Sequence, residues 1–304
     1  MRDSSTPRTA GRNKMTSQNS TSVHSALIAE QLAQTRDFLS EQLLCSDAQL
    51  AEFIDYIKNR QGKMLRASVL LLSGKLLGEV KPLHIKIAAV VEIIHAATLL
   101  HDDVIDNSSA RRFQATANSI WGANLAVLLG DYLLSRAFSV TALQQRNDIN
   151  KILSETAEII CRGEMLQNVS RGDFNIGIDA YLNIIEKKTA VFFANCALLG
   201  AIISDADDNS RQSLYDFGLN LGMAFQITDD LTDVIGTETN TGKTAGRDFE
   251  NKIPTMPILK SIDFTKSKIA DYRQKAEASL DRFGQNPAVD ALKGLAEAVT
   301  QLPL

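Results

Sequence analysis

From residue 23 to the C-terminus, apolar side chains return every three or four positions, and long alternations of β-branched and polar residues are absent. That spacing is the period of an α-helix. It runs through "ALIAEQLAQTRDFLSEQL", "KPLHIKIAAVVEIIHAATLLHDDVID", "INKILSETAEIICRGEML" and "LYDFGLNLGMAFQITDDLTDVIG". Proline is scarce, six in all, and falls at predicted breaks such as Pro82, Pro254 and Pro257. Many helices that each carry an apolar stripe can bury those stripes only against one another, so the pattern predicts an all-α fold. With 304 residues, 44% of them hydrophobic, there is ample material for a core. No linker and no internal repeat interrupts the chain after residue 23, so residues 23–304 read as a single domain. Residues 1–22, "MRDSSTPRTAGRNKMTSQNSTS", nearly lack large apolar side chains and read as a disordered N-terminal tail. Their Arg-containing, acid-poor composition has a faint transit-peptide character, but a floppy tail, or a start ahead of Met15, is the plainer reading.

The formal net charge of −4 speaks against a nucleic-acid surface and leaves small anionic substrates open. Cys45, Cys161 and Cys196 are odd in number, with no CxxC, and read as reduced thiols in a cytoplasmic protein. No apolar run reads as long enough for a membrane span, because Lys, Gly or Asp breaks each one.

Against this background two short segments stand out. Residues 102–106 read "DDVID" and residues 229–233 read "DDLTD", the same DDxxD pattern twice, each inside apolar helical sequence. On a helix, Asp102 and Asp106 project from one face a turn apart, as do Asp229 and Asp233, with Asp103 and Asp230 beside them. Like charges at that spacing repel, and an unpaired carboxylate in apolar surroundings is costly. A hard divalent cation removes the conflict. Carboxylates without His or Cys suit Mg²⁺, which takes one or two of them and completes its shell with water and phosphate oxygens. One such motif is commonly a solvated acidic face; a pair embedded in apolar helix is much harder to explain that way. A diphosphate site also needs fixed cations. Lys63 and Arg66 in "GKMLR", Arg111 and Arg112, Lys188 in "KKTA", and Lys243 and Lys252 in "TGKTAGRDFENKIPT" are candidates, each alone an ordinary solvated patch. His95, two turns before Asp102, reads equally well as a satisfied core histidine.

Taken together, "EIIHAATLLHDDVIDNSSARR", "LLGDYLLSRAF", "KKTA", "GMAFQITDDLTD" and "TGKTAGRDFENKIPTMPIL" resemble the trans-isoprenyl diphosphate synthases, or polyprenyl synthetases, from about Gly62 to Leu259. The resemblance implies a single large helical bundle with a deep central cavity, of the isoprenoid synthase type, assembled as a homodimer. It implies an Mg²⁺-dependent prenyltransferase that ionises an allylic diphosphate, lets isopentenyl diphosphate attack the cation, and repeats the cycle. By the same resemblance, Asp102 and Asp106, with Asp103 in support, and Asp229, with Asp230 and Asp233 in weaker or outer roles, serve three Mg²⁺ ions. Arg111, Lys188, Lys243 and Lys252 hold the allylic diphosphate, and Thr189 and Gln226 flank the developing cation. Lys63, Arg66, His95 and Arg112 bind isopentenyl diphosphate. A greasy product implies loose membrane association at release.

Three segments depart from the family pattern. Residues 61–67 read Gln-Gly-Lys-Met-Leu-Arg-Ala, where the family has Gly-Gly-Lys-Arg-x-Arg-Pro. Phe113 follows Arg112 in place of Gly. Asn251 precedes Lys252 in place of Gly, and Asn tolerates the left-handed region well. The small residues Ala97 and Thr98, one turn before Asp102, favour growth to the medium- or long-chain tails of quinones, with a floor near Leu153 or Thr156. The competing readings are a short-chain farnesyl or geranylgeranyl synthase, a class I terpene cyclase, a squalene-type synthase, and a non-catalytic helical subunit of a heteromeric synthase. A cyclase typically carries a different second motif and needs no second diphosphate pocket.

Overall fold

The computed structural model describes residues 26–44, 47–60, 62–111, 114–236 and 247–302. Helices α1 (Ala29–Gln42), α2 (Ala51–Lys58), α3 (Leu65–Leu76) and α4 (Pro82–Ile105) come first. A minimal antiparallel hairpin follows, β1 (Ala110–Arg111) with β2 (Gln114–Ala115). Then come α5 (Ala117–Trp121), α6 (Ala123–Ala142), α7 (Asn147–Val169) and α8 (Ile178–Ile185). A π turn over Glu186–Ala190 joins α8 to α9 (Val191–Ile203). The chain continues with α10 (Asp208–Ile235), α11 (Arg247–Glu250), α12 (Met256–Leu259), α13 (Ile262–Ser279) and α14 (Pro287–Val299). The all-α expectation holds. The tail at residues 1–22, Cys45, Arg112, Phe113 and Lys243 lie outside the described residues.

The breaks follow from local chemistry. Pro82 opens α4 in the first turn, where a missing N–H costs nothing. Asp207 caps α10 by accepting the Ser210 N–H at 2.9 Å, and Asn286 caps α14 by accepting the Ala288 N–H at 2.8 Å. Helix α9, "VFFANCALLGAII", is apolar on every side and is buried along almost its whole length, as such a sequence must be. It packs on α3, α7 and α10, while α4 packs on α1, α3 and α6. A second apolar cluster, including Tyr181, Met223, Leu231 and Met256, anchors the C-terminal half of α10 against α8, α12 and α13.

One expectation is corrected. Helices α4 and α6 are both long and apolar enough to cross a membrane by length and hydropathy alone. The charges that interrupt them, such as Glu92 and Asp131, are too few to lower the average. For α4 the cause is burial in protein: 61% of its most apolar window is enclosed. For α6 the figure is 39%, and Leu125, Val127 and Leu128 of that helix face outward.

Candidate active site

Helix α4 stops at Ile105, and the Asp106 N–H donates to the Asp102 carbonyl at 2.8 Å, so these two acids sit one turn apart at the helix end. Two acids of this first triplet meet an arginine directly. Asp103 is buried and accepts the Arg111 Nε–H at 2.9 Å. Asp106 accepts from an Arg171 η nitrogen at 2.5 Å. Burial pushes the Asp102 carboxyl up to about 7; Glu164 and Asp106 add to the rise, while Lys188 and Arg111 oppose it.

Lys188 lies at the centre. Its Nζ is 2.6 Å from Glu164 Oε2 and 3.2 Å from Gln167 Oε1, both on α7. Burial works against the ammonium, but the Asp102 and Glu164 carboxylates win and hold its pKa above the ordinary lysine value. The backbone explains the placement. A π turn inserts an extra residue into the helical ladder and swings its side chains out of register, a device common at functional sites. Two glycines make room for it. A Cβ on Gly163 of α7 would fall 2.5 Å from the Lys188 backbone nitrogen, and one on Gly222 of α10 would fall 2.5 Å from Ala190 Cα.

The next residue begins a relay into the second triplet. The Thr189 hydroxyl donates to Gln226 Oε1 at 2.7 Å, and Gln226 Nε2 donates to Asp230 Oδ1 at 2.8 Å. The Tyr181 hydroxyl donates to the other Asp230 oxygen at 2.6 Å. Burial and the neighbouring Asp229 raise Asp230 to about 6, against the Tyr181 and Gln226 hydrogen bonds and the charge of Lys188. Asp233 accepts the Asp248 backbone N–H at 3.1 Å, and Asp229 is exposed. The π turn therefore serves both triplets: the Lys188 charge opposes the rise at Asp102, and Thr189 reaches Asp230 through Gln226.

The "GKMLR" segment begins α3. Met64 takes a left-handed φ of 51° and supplies no side-chain cap. Glu92 of α4 supplies one from across the bundle, accepting the Ala67 N–H at 2.9 Å. Arg66 is buried with its guanidinium carbon 4.9 Å from the Phe192 ring centre and 4.7 Å from that of Phe193. Lys63 is exposed, and His95, one turn after Glu92, borders a cavity of about 60 Å³ that Met64, Glu92 and Leu133 also line. Lys252 is exposed, and its carbonyl accepts the Gly172 N–H at 2.8 Å. The left-handed residue of that segment is Lys252 itself, φ 57°, and not Asn251 before it.

Five residues with direct contacts here escaped sequence reasoning: Glu92, Glu164, Gln167, Arg171 and Tyr181. Glu92 and Glu164 carried a signal of the same kind as the Asp triplets, an acid set in an otherwise buried helical stripe. Arg171 and Tyr181 carried none. Among the described residues no three His, Cys, Asp or Glu side chains converge into a closed metal cage. All-oxygen carboxylate donors in open clusters fit Mg²⁺ shared with a phosphate, and do not fit a metal wrapped by protein alone.

Residues 47–288 match the family model described as polyprenyl synthetase. The octaprenyl diphosphate synthase of Escherichia coli is 34% identical over 268 residues, covering 88% of this chain and 83% of that protein. The heptaprenyl diphosphate synthase component 2 of Geobacillus stearothermophilus is 32% identical over 246 residues, covering 81% and 77%. The crystal structure of the polyprenyl synthase of Caulobacter crescentus, complexed with calcium and isoprenyl diphosphate, superposes with a TM-score of 0.88 at 31% identity, covering 98% of this chain and 100% of that one. With one acidic triplet beside Lys188 and the other reached from Thr189 through Gln226 in an all-helical bundle, this chain belongs to the polyprenyl synthetase family, prenyltransferases that join an allylic diphosphate to isopentenyl diphosphate.

Proposed function

We propose that residues 23–304 form one catalytic domain that extends an allylic diphosphate with isopentenyl diphosphate to a medium- or long-chain all-trans polyprenyl diphosphate. The observation that carries this reading is the π turn itself, which sets Lys188 on Glu164 beside the first triplet and links Thr189 through Gln226 to Asp230 of the second. Asp102 and Asp106, with Asp229 opposite, are assigned to three Mg²⁺ ions, which when bound neutralise the departing diphosphate. Asp103, Asp230 and Asp233 are assigned to orienting roles, because Arg111, Tyr181, Gln226 and the Asp248 backbone already engage them.

Ionisation separates a diphosphate from an allylic cation. In this assignment Lys188, with Arg111, Lys243 and Lys252, places positive charge where the leaving oxygen gains negative charge. The Thr189 and Gln226 oxygens face the cation, and Asp230 and Tyr181 hold them in place. Lys63, Arg66, His95 and Arg112 orient isopentenyl diphosphate so that its alkene carbon attacks the cation, after which a proton leaves. Apolar walls exclude water that would quench the cation. Ala97 is small and fully buried. Thr156 is buried on α7, accepts from Asn195 Nδ2 at 2.7 Å, and is assigned to the cavity floor. The octaprenyl relative supports the longer products.

The outward apolar face of α6 is assigned to a homodimer interface, the commonest symmetric assembly; a Leu128→Asp variant would then run as a monomer in light scattering. The Geobacillus component gives weight to a second arrangement, a two-subunit enzyme, and an inactive purified chain revived by a partner would support it. The free Cys161 and Cys196 suit a cytoplasmic location, with loose membrane contact at product release.

The reading is tested at Lys188. Lys188→Ala should lower kcat by at least about 10²-fold, the scale of losing one preorganised charge partner in a water-excluded site. A variant within about threefold of wild type would remove Lys188, and with it this account of ionisation.

A further inference from the structure

We propose that Arg171 is a further diphosphate-binding cation of this site, held on Asp106 until a divalent ion takes that carboxylate. The inference rests on reading the first triplet as ion ligands. Three observations carry it. The Arg171 guanidinium lies 2.5 Å from Asp106 Oδ1, and both side chains are largely enclosed, 24% and 18% exposed. Its Nε is buried without a hydrogen-bond partner among the described residues, so the fork has donors to spare beside an ion-binding carboxylate. The turn that carries it touches the other side of the site as well. The Gly172 N–H donates to the Lys252 carbonyl at 2.8 Å, and the Phe174 ring lies 6.0 Å from that of Phe249.

The chemistry follows from charge. With no metal, Asp106 sits one turn from Asp102 and needs a counter-charge, which Arg171 supplies. A divalent ion on Asp106 supplies the same counter-charge more strongly and repels the guanidinium. The ion also brings a diphosphate, and a planar fork of N–H donors is suited to bind its oxygens in a bidentate manner. Arg171 thus moves from carboxylate to phosphate without leaving the mouth of the site. It competes with the metal when substrate is absent and binds the substrate once the metal is present. Sequence spacing carries no trace of this, because Arg171 lies outside both acidic motifs and outside each basic cluster.

The test uses Arg171→Gln and Arg171→Lys in the full-length protein, with two readouts. The first is the Mg²⁺ concentration that half-saturates the thermal shift of the protein with metal alone. Arg171→Gln should bring it down by about fivefold, the scale of one lost competing ion pair, while Arg171→Lys stays near wild type. The second is steady-state kinetics: Arg171→Gln should raise KM for farnesyl diphosphate by at least about tenfold and leave KM for isopentenyl diphosphate within about twofold. An unchanged Mg²⁺ midpoint in Arg171→Gln overturns the competition. A lowered midpoint with an unchanged allylic KM overturns the transfer to diphosphate. A wild-type protein that Mg²⁺ and inorganic diphosphate together do not stabilise would instead overturn the reading of the triplets themselves.

Discussion

Replacing Gly163 with alanine sets two physical effects against each other. In an unconstrained helix interior, Gly→Ala stabilises by about 1 kcal/mol, because glycine gives up more backbone freedom on folding. In α7 the new Cβ would lie 2.5 Å from the Lys188 nitrogen, 2.8 Å from its Cα and 2.9 Å from the Lys187 carbonyl carbon. Ordinary contacts begin at 3.4 Å, and all three atoms are backbone, so α7 and the π turn must part by about 1 Å. Overpacking a close-packed interior costs about 1–3 kcal/mol, which outweighs the propensity gain, so Gly163→Ala should melt below wild type. The same displacement moves Lys188 and Thr189, and an error of about 1 Å in a catalytic group costs about 10²-fold in rate. The assay is kcat with both substrates saturating, at a temperature below both melting transitions. A variant that melts above wild type and turns over within about threefold of it would refute the claim that the glycine approach positions Lys188.

Further predictions concern residues around the same site. Glu92→Ala strips the first turn of α3 of its acceptor at a buried position, worth about 1–3 kcal/mol, so KM for isopentenyl diphosphate should rise about tenfold or more and the allylic KM little. Glu92→Gln, which still accepts the Ala67 N–H, should recover most of that loss; equal changes in both KM values would point to general destabilisation instead. Asp102, raised to about 7 from an ordinary value near 3.8, favours the metal-free fold when protonated. Its contribution is therefore present below about pH 4 and lost as pH rises through about 7. Metal needs the ionised form, so the Mg²⁺ affinity of the wild type should fall toward tenfold per pH unit below about 7, and Asp102→Asn should flatten that slope; a flat wild-type profile between pH 5 and 7.5 would contradict it. Ala97→Phe should shorten the product, read as the chain length of the dephosphorylated alcohols, and an unchanged distribution would remove Ala97 from the growth path.

The helices were legible because each long one carries an apolar period that only a bundle can bury. The acidic triplets were legible because a carboxylate in such a stripe needs a partner. Partners from elsewhere in the chain were not legible. That Glu164 faces Lys188, or that Tyr181 faces Asp230, depends on how α7 and α8 meet α10, and no local spacing encodes that crossing. The left-handed backbone fell one residue from its expected place, at Lys252 instead of Asn251, because the turn is fixed by the Gly172 contact as well as by local preference. The apolar length of α4 was underestimated, since its sparse charges, among them Glu92, have buried work in the bundle.

The central claim is chain elongation by this site, and product analysis tests it most directly. Purified protein with Mg²⁺, farnesyl diphosphate and labelled isopentenyl diphosphate, followed by dephosphorylation and separation of the alcohols, gives the answer. The account predicts a ladder of all-trans products in five-carbon steps that ends well beyond twenty carbons. A stop at twenty carbons would keep the reaction and contradict the deep floor drawn from Ala97 and Thr156. The absence of any condensation product would contradict the claim that this chain alone carries out the reaction.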